Sequence, residues 1–150
     1  MRIRSALETD VQTIAQLARE LASHVADPDP GAETDAWLQL GFGEDRWFDC
    51  LVAEVGGELV GFAAFGKRFE IHTRSRRLWL SDLVVTERCR KRGIGGALIA
   101  SLRQRAVELG CDTIVLELWA RNSSARAFYH RVGAVRDPEL EVHLIPAGAR

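Results

Sequence analysis

Arg88-Cys89-Arg90-Lys91-Arg92-Gly93-Ile94-Gly95-Gly96 is the stretch on which the fold turns. An apolar run ending Leu83-Val84-Val85 enters it, and a helical pattern with Ile94, Leu98, Leu102 and Leu109 on one face leaves it. Three glycines in four positions let the backbone approach a ligand closely. Unpaired N–H groups at a helix start attract anions, and the basic residues Arg88, Arg90, Lys91 and Arg92 reinforce that attraction. A phosphorylated ligand is the physical inference. A P-loop needs Gly-Lys-Ser/Thr, whereas here the basic residues precede the glycines. A dinucleotide fingerprint needs a small residue where this chain has Leu98, and a hairpin-led order of elements is wrong for that fold. A glycine-rich turn with a solvated basic face is the structural alternative.

Upstream, Arg2-Ile3-Arg4 is strand-like, and Thr9-Asp10-Val11-Gln12 reads as a capping box. Val11, Ile14, Leu17, Leu21 and Val25 follow at helical spacing until Asp27-Pro28-Asp29-Pro30-Gly31 ends the helix. A second short helix is expected from Glu33 to Leu40, stopped at Gly41-Phe42-Gly43. Cys50 to Val55 and Leu59 to Phe65 are apolar runs joined by Gly56-Gly57, a strong hairpin signal. A third strand, Leu78 to Val85, comes after the basic residues Arg74, Arg76 and Arg77. Downstream, Gly93 to Leu109 is helical with Gly110 as its cap, and Thr113 to Leu118 is a buried-type strand. Ser123 or Ser124 caps a helix running to Val132, and the alternation Leu140, Val142, Leu144 suggests a last strand. The expectation is one α/β (α+β) domain over residues 1–150, with a mixed, mostly antiparallel central sheet and flanking helices.

Composition agrees with a soluble globular chain: 150 residues, 47% hydrophobic and 27% charged. Twenty basic and twenty-one acidic residues leave a net charge of −1, which argues against gripping nucleic acid by bulk charge. Cys50, Cys89 and Cys111 form no CxxC, and His24, His72, His130 and His143 form no HxxxH, so neither a disulfide framework nor a metal site is expected. No run approaches the length of a membrane span, and the start of the chain lacks a signal-peptide core. A cytoplasmic location is the default.

Arg90-x-x-Gly93-x-Gly95, entered from Leu83-Val84-Val85, resembles the acetyl-CoA motif of the GNAT acetyltransferases. A second signature accompanies it about 30 residues on: Asn122, a small residue three places later at Ala125, Phe128-Tyr129, then Gly133. Details outside these motifs are similar to the spermidine/spermine (diamine) and thialysine branch, namely Gly41-Phe42-Gly43-Glu44, Cys50 to Glu54, Val60-Gly61-Phe62-Ala63 and Asp82-Leu83.

The resemblance implies a GNAT fold, acetyl-CoA as donor, no metal, and direct acetyl transfer to the primary amine of a small cationic acceptor: a polyamine, a diamine or an amino-acid-like amine. It assigns the pantetheine arm to the backbone of Leu83, Val84 and Val85. It assigns the pyrophosphate to the Lys91, Arg92, Gly93, Ile94, Gly95 and Gly96 amides below Arg90, with Asn122, Ala125 and Arg131 lining the cofactor further along. A splayed strand pair beside Val84 would offer an N–H to the thioester oxygen. Tyr129, the only tyrosine, stands where the family places its general acid. A phenol near pKa ~10 keeps its proton at neutral pH and gives it to a departing thiolate. Its alternative is a core aromatic beside Phe128.

In the polyamine branch a glutamate commonly precedes the Asp of this strand; here the pair is Ser81-Asp82. Both are expected acceptor contacts, with Asp82 orienting the amine. Glu117 and His24 are further candidate bases, each with a solvated surface position as its alternative. Asp27, Asp29, Glu33, Asp35, Glu44, Asp45 and Asp49 make an acidic region suited to a cationic amine. Lys67, Arg68, Arg74, Arg76 and Arg77 carry no assigned role. Relatives often dimerise, and segment 140–145 is the candidate for that contact. The rival classes are a CoA-sensing module without catalysis and nucleic-acid binding through residues 88–92.

Overall fold

Strand β1 (Arg2–Ser5) opens the chain and leads through a 3-10 turn (Glu8–Asp10) into helix α1 (Val11–Val25). Helix α2 (Asp35–Phe42), strands β2 (Asp49–Val55), β3 (Glu58–Glu70) and β4 (Ser75–Val85), helix α3 (Ile94–Glu108) and strand β5 (Thr113–Leu116) follow. Helix α4 (Ser123–Arg131) is the last regular element of this computed structural model, which describes residues 1–148. The chain divides into two units, Met1–Glu117 and Leu118–Arg150.

In the first unit the five strands run in the order β1-β2-β3-β4-β5. The first four pair antiparallel and β4 pairs β5 in parallel, as a connection through α3 requires. Gly56 and Gly57 turn the β2–β3 hairpin at φ 61° and 82°, a region that side chains disfavour. On one sheet face Ile14 and Leu17 of α1 pack with Cys50, Val52, Phe62, Ala64 and Val84. Helix α3 buries Ile94, Leu98, Ile99 and Leu102 and packs against β2, β3 and β4. Each such aliphatic side chain contributes roughly 1.5–3 kcal/mol on burial.

The helix ends differ from expectation. The Thr9–Gln12 capping box does not form. Asp10 instead accepts from the Leu7 N–H at 2.7 Å and from Arg4 Nη1 at 2.6 Å and Nη2 at 3.1 Å. A charged partner six residues away outweighs a hydroxyl cap. Helix α2 starts at Asp35, two residues later than expected, and runs through Gly41 to Phe42; the Phe48 ring occupies the space where a Gly41 side chain would stand. Gly110, at φ 65°, ends α3 as expected, with its N–H on Val107 O and the Cys111 N–H on Ala106 O.

Two strand expectations are corrected. Strand β5 stops at Leu116, two residues short of the apolar pattern. Residues 140–145 form no strand: Leu140, Val142, Leu144 and Ile145 are exposed, and the segment pairs with no neighbour among the described residues. Alternation alone does not make a strand without a partner for its backbone groups.

Candidate active site

Strand β4 changes partner along its length. Its register with β3 slips by one residue, from Leu80 opposite Phe65 to Asp82 opposite Ala64, so Ser81 is the bulged residue. The Ser81 hydroxyl donates to Ala64 O at 3.1 Å, which holds the bulge. Pairing with β5 covers only Arg77 to Leu80 and ends where the bulge begins. Asp82 to Val85 then pair with β3 alone. The Thr86 N–H bonds Val60 O. By antiparallel alternation the backbone groups of Leu83 and Val85 face away from β3, on the side where β5 has ended. Val84 faces the core at 3% exposure, so its side chain anchors the strand while its neighbours' amides line the open edge.

The edge ends at the glycine loop. Arg90 Nε donates to Val85 O at 3.1 Å and ties the loop to the strand. Lys91 and Gly93 both take left-handed backbone, at φ 61° and 80°. The first α3 bond runs from the Ala97 N–H to Gly93 O, leaving the Ile94, Gly95 and Gly96 amides at the open helix end. A side chain built at Gly93 or Gly96 would meet nothing within 4 Å, so space lies above the amides. Ile94 is buried and fixes the helix start from below, whereas Lys91 and Arg92 are exposed. Open amides, partial positive charge and free cations make this end suited to a pyrophosphate.

A cavity of about 980 Å³ lies beside this loop, lined by Gln16, Arg19, Glu20, Ser23, His24 and Asp29 and by Thr86, Glu87, Arg88 and Arg90. His24 thus lines this cavity together with Thr86, Glu87, Arg88 and Arg90. Arg19 grips Asp29 through both carboxylate oxygens at 2.8–3.2 Å and holds that carboxyl below its usual range. Arg88 pairs with Glu58. The acidic region is thus not one patch. Asp29 belongs to the loop end, whereas Asp45 accepts from Trp47 Nε1 and Asp49 pairs Arg46 beside the start of β2.

Asp82 is exposed, on the α1 side of the sheet, and is close enough to Cys50 to act on its thiol. Burial, with Asp10, Asp82 and Asp49 nearby, pushes that thiol up to about 12. Cys50 and Cys89 are buried, and all three cysteines are free of disulfides. Glu117 is exposed just past the end of β5.

In the second unit Asn122, rather than Ser123 or Ser124, caps α4. Its Oδ1 accepts from the Ala125 N–H at 3.1 Å and from Ser124 Oγ at 3.2 Å. This oxygen is committed to the helix start. Arg126 reaches back to Ala120 O. Gly133, at φ 86°, ends the helix, with its N–H on His130 O and the Ala134 N–H on Tyr129 O. Tyr129 is 9% exposed and packs edge-on to Phe128 at 5.1 Å. Arg131 is exposed. Among the described residues no group of His, Cys, Asp and Glu could hold a metal ion, and no helix is long and apolar enough to cross a membrane.

Beyond Leu80 strand β4 has no β5 partner and leads into a glycine-rich helix start, and the comparisons give the class, an acyltransferase. Residues 12–134 match the acetyltransferase (GNAT) family, and the chain belongs to it. It is an N-acetyltransferase. Thialysine N-epsilon-acetyltransferase of Sus scrofa is 31% identical over 141 residues, 88% of this chain and 82% of that protein. Spermine/spermidine N(1)-acetyltransferase of Bacillus subtilis is 32% identical over 88 residues, 57% of this chain and 58% of that protein. Among solved structures, a probable acetyltransferase superimposes with a TM-score of 0.85 at 20% identity over the full length of both chains. A ribosomal-protein-alanine N-acetyltransferase from Brucella melitensis has a TM-score of 0.78 at 26% identity, covering 98% of this chain and 99% of that one.

Proposed function

We propose that this N-acetyltransferase takes its acetyl group from acetyl-CoA and passes it directly to the primary amine of a small cationic acceptor, the whole chain acting as one catalytic domain. The observation that carries this reading is that β4 pairs β5 only from Arg77 to Leu80, so that beyond the Ser81 bulge Asp82 to Val85 pair with β3 alone and lead into the glycine loop. The Leu83 and Val85 backbone groups bond the pantetheine arm and orient the thioester. The Ile94, Gly95 and Gly96 amides hold the pyrophosphate, with Arg90, Lys91 and Arg92 supplying positive charge. Asn122, Ala125 and Arg131 contribute contacts further along the cofactor.

Asp82 attracts and orients the acceptor ammonium, and loss of a proton to water frees the nitrogen lone pair. Attack on the thioester carbonyl forms the new C–N bond, and the C–S bond then breaks. Tyr129 gives its phenolic proton to the departing thiolate, and the proton shed by the newly acylated nitrogen restores the phenol through solvent. Ser81 acts through the bulge it holds. Its hydroxyl is bound to Ala64 O, so the acceptor contact expected of it is indirect. Free cysteines fit a reducing compartment, the cytoplasm. The exposed apolar residues at 140–145 fit the contact of a homodimer.

Purified protein with acetyl-CoA and a panel of polyamines, diamines and basic amino acids decides the matter by free-thiol release and the mass of the acetylated amine. One thiol per acetyl-amine, absent without acceptor, is the expected result. Calorimetric CoA binding without thiol release for any amine would instead favour a CoA-sensing module.

A further inference from the structure

Strands β3 and β4 outrun the rest of the sheet at the end opposite the cofactor loop. Strand β2 begins at Asp49, which pairs Phe65, and β5 meets β4 only from Arg77 onward. Past those points the two strands continue as a ribbon, residues 67–77, closed by the turn Ile71-His72-Thr73-Arg74. Asp112, whose N–H bonds Arg76 O, stands at its base. Glu70 lies five residues beyond Phe65, roughly 16 Å of strand at ~3.3 Å per residue.

The ribbon is opposite in sign to the rest of the molecule. Lys67, Arg68, Arg74, Arg76 and Arg77 stand against Glu70 alone, whereas the remainder of the chain holds fifteen basic and twenty acidic residues. Arg68 faces Arg77 and Glu70 faces Ser75, so Glu70 shares a sheet face with the two arginines it pairs. Lys67 and the opposed Phe69 and Arg76 lie on the other face, which carries no acid from the ribbon. Lys67, Arg74 and Arg76 have no carboxylate partner among the described residues. Phe69 is 58% exposed, and Ile71, in the turn, is 83% exposed. Arg74 takes left-handed backbone at φ 56°, where glycine or asparagine sits more easily, so the turn itself does not call for an arginine.

We propose that this ribbon is a docking tip for an anionic lipid surface. Ile71 and Phe69 enter the headgroup region, and Lys67, Arg68, Arg74 and Arg76 meet the lipid phosphates. An apolar wedge and a basic cluster each hold a protein to a membrane weakly, and the two signals together make a stable contact. The reach of the ribbon exceeds the ~8 Å screening length at physiological salt, so the acidic body is not repelled while the tip is bound. The aliphatic apex decides the class of partner. A lipid interface shelters Ile71, whereas the charged backbone of a polyanion offers it no apolar contact. The tip lies at the other end of β4 from Val85, so docking leaves the cofactor loop free.

The test is co-sedimentation of the purified protein with sucrose-loaded vesicles, either phosphatidylcholine alone or phosphatidylcholine with one part in three of phosphatidylglycerol. Excess CoA is present throughout, to occupy the basic cofactor loop. Binding to the anionic vesicles is expected to be at least about tenfold tighter and to weaken as salt rises. Lys67→Gln and Arg74→Asn should each lower it about fivefold. Tm should not fall in Arg74→Asn, because asparagine suits the left-handed turn. Phe69→Ser combined with Ile71→Ser should lower binding about tenfold or more. Equal binding to the two vesicle types overturns the proposal, as does anionic binding unchanged in either the charge variants or the apolar pair. Tighter ribbon-dependent capture of a single-stranded oligonucleotide or of polyglutamate also overturns it and assigns the ribbon to that polymer.

Discussion

Gly61→Ala is the substitution that bears most directly on how β4 is held. A Cβ at residue 61 would stand 2.5 Å from Val84 O and 3.3 Å from Val85 Cα, whereas ordinary contact begins near 3.4 Å. The obstacle is backbone, so no side-chain rotation relieves it. Strand β4 must withdraw by ~0.9 Å, an overpacking strain of about 1–3 kcal/mol. The same shift stretches the adjacent bond from the Thr86 N–H to Val60 O, now 2.8 Å, past the usual limit, at a cost of about 1 kcal/mol. The sum is about 2–4 kcal/mol, which lowers Tm by ~5–15 °C in a chain of this length. The displaced residues flank the open edge that bonds the cofactor, so CoA affinity should fall about fivefold or more. Thermal unfolding by circular dichroism and calorimetric CoA titration read the two effects. A Tm within about 1 °C of the wild type, with unchanged CoA affinity, would refute the argument that close strand approach shapes this edge.

Two further outcomes follow from the charges and thiols of the first unit. The hydrogen bond from Arg4, aided by the Leu7 N–H and opposed by burial, holds the Asp10 carboxyl below its ordinary range. Its contribution is therefore full above the unfolded-state pKa near ~3.9 and is lost as pH falls from there through the folded value. Asp10→Asn should lower the unfolding free energy by about 3 kcal/mol at pH 7, and urea titrations should show this deficit shrinking only below about pH 4. A thiol-reactive dye at pH 8 should label half-buried Cys111 in the native protein. Cys50, whose thiol is pushed up to about 12, and buried Cys89 should react only on unfolding.

The features legible in the sequence are those written in local chemistry. Gly56-Gly57 announced the hairpin because both residues must take positive φ, and Gly93 and Gly110 marked the two ends of α3. The phosphate-type loop was legible for the same reason. The Ser81 bulge was not, because a one-residue slip between strands leaves no trace in composition or periodicity. It exists only in the pairing of β4 with β3 and β5. Caps were misjudged where a tertiary partner intervened: Arg4 recruits Asp10, and Asn122 takes the role given to its serine neighbours. The alternation at 140–145 misled because it states which face would be buried, not whether a partner strand is present. The ribbon arginines looked like a solvated face. Only the side-chain ion pairs of the structure show that Glu70 is shared by two of them, Arg68 and Arg77.

The proposal that a phenol completes acetyl transfer is tested most directly at the single tyrosine of the chain. Tyr129→Phe removes one oxygen and leaves the edge-on packing against Phe128 in place. Steady-state thiol release should fall by about 10²–10⁴-fold while calorimetric CoA affinity stays close to the wild type. Undiminished turnover in that variant would contradict the account, since no second tyrosine is present to take over the proton.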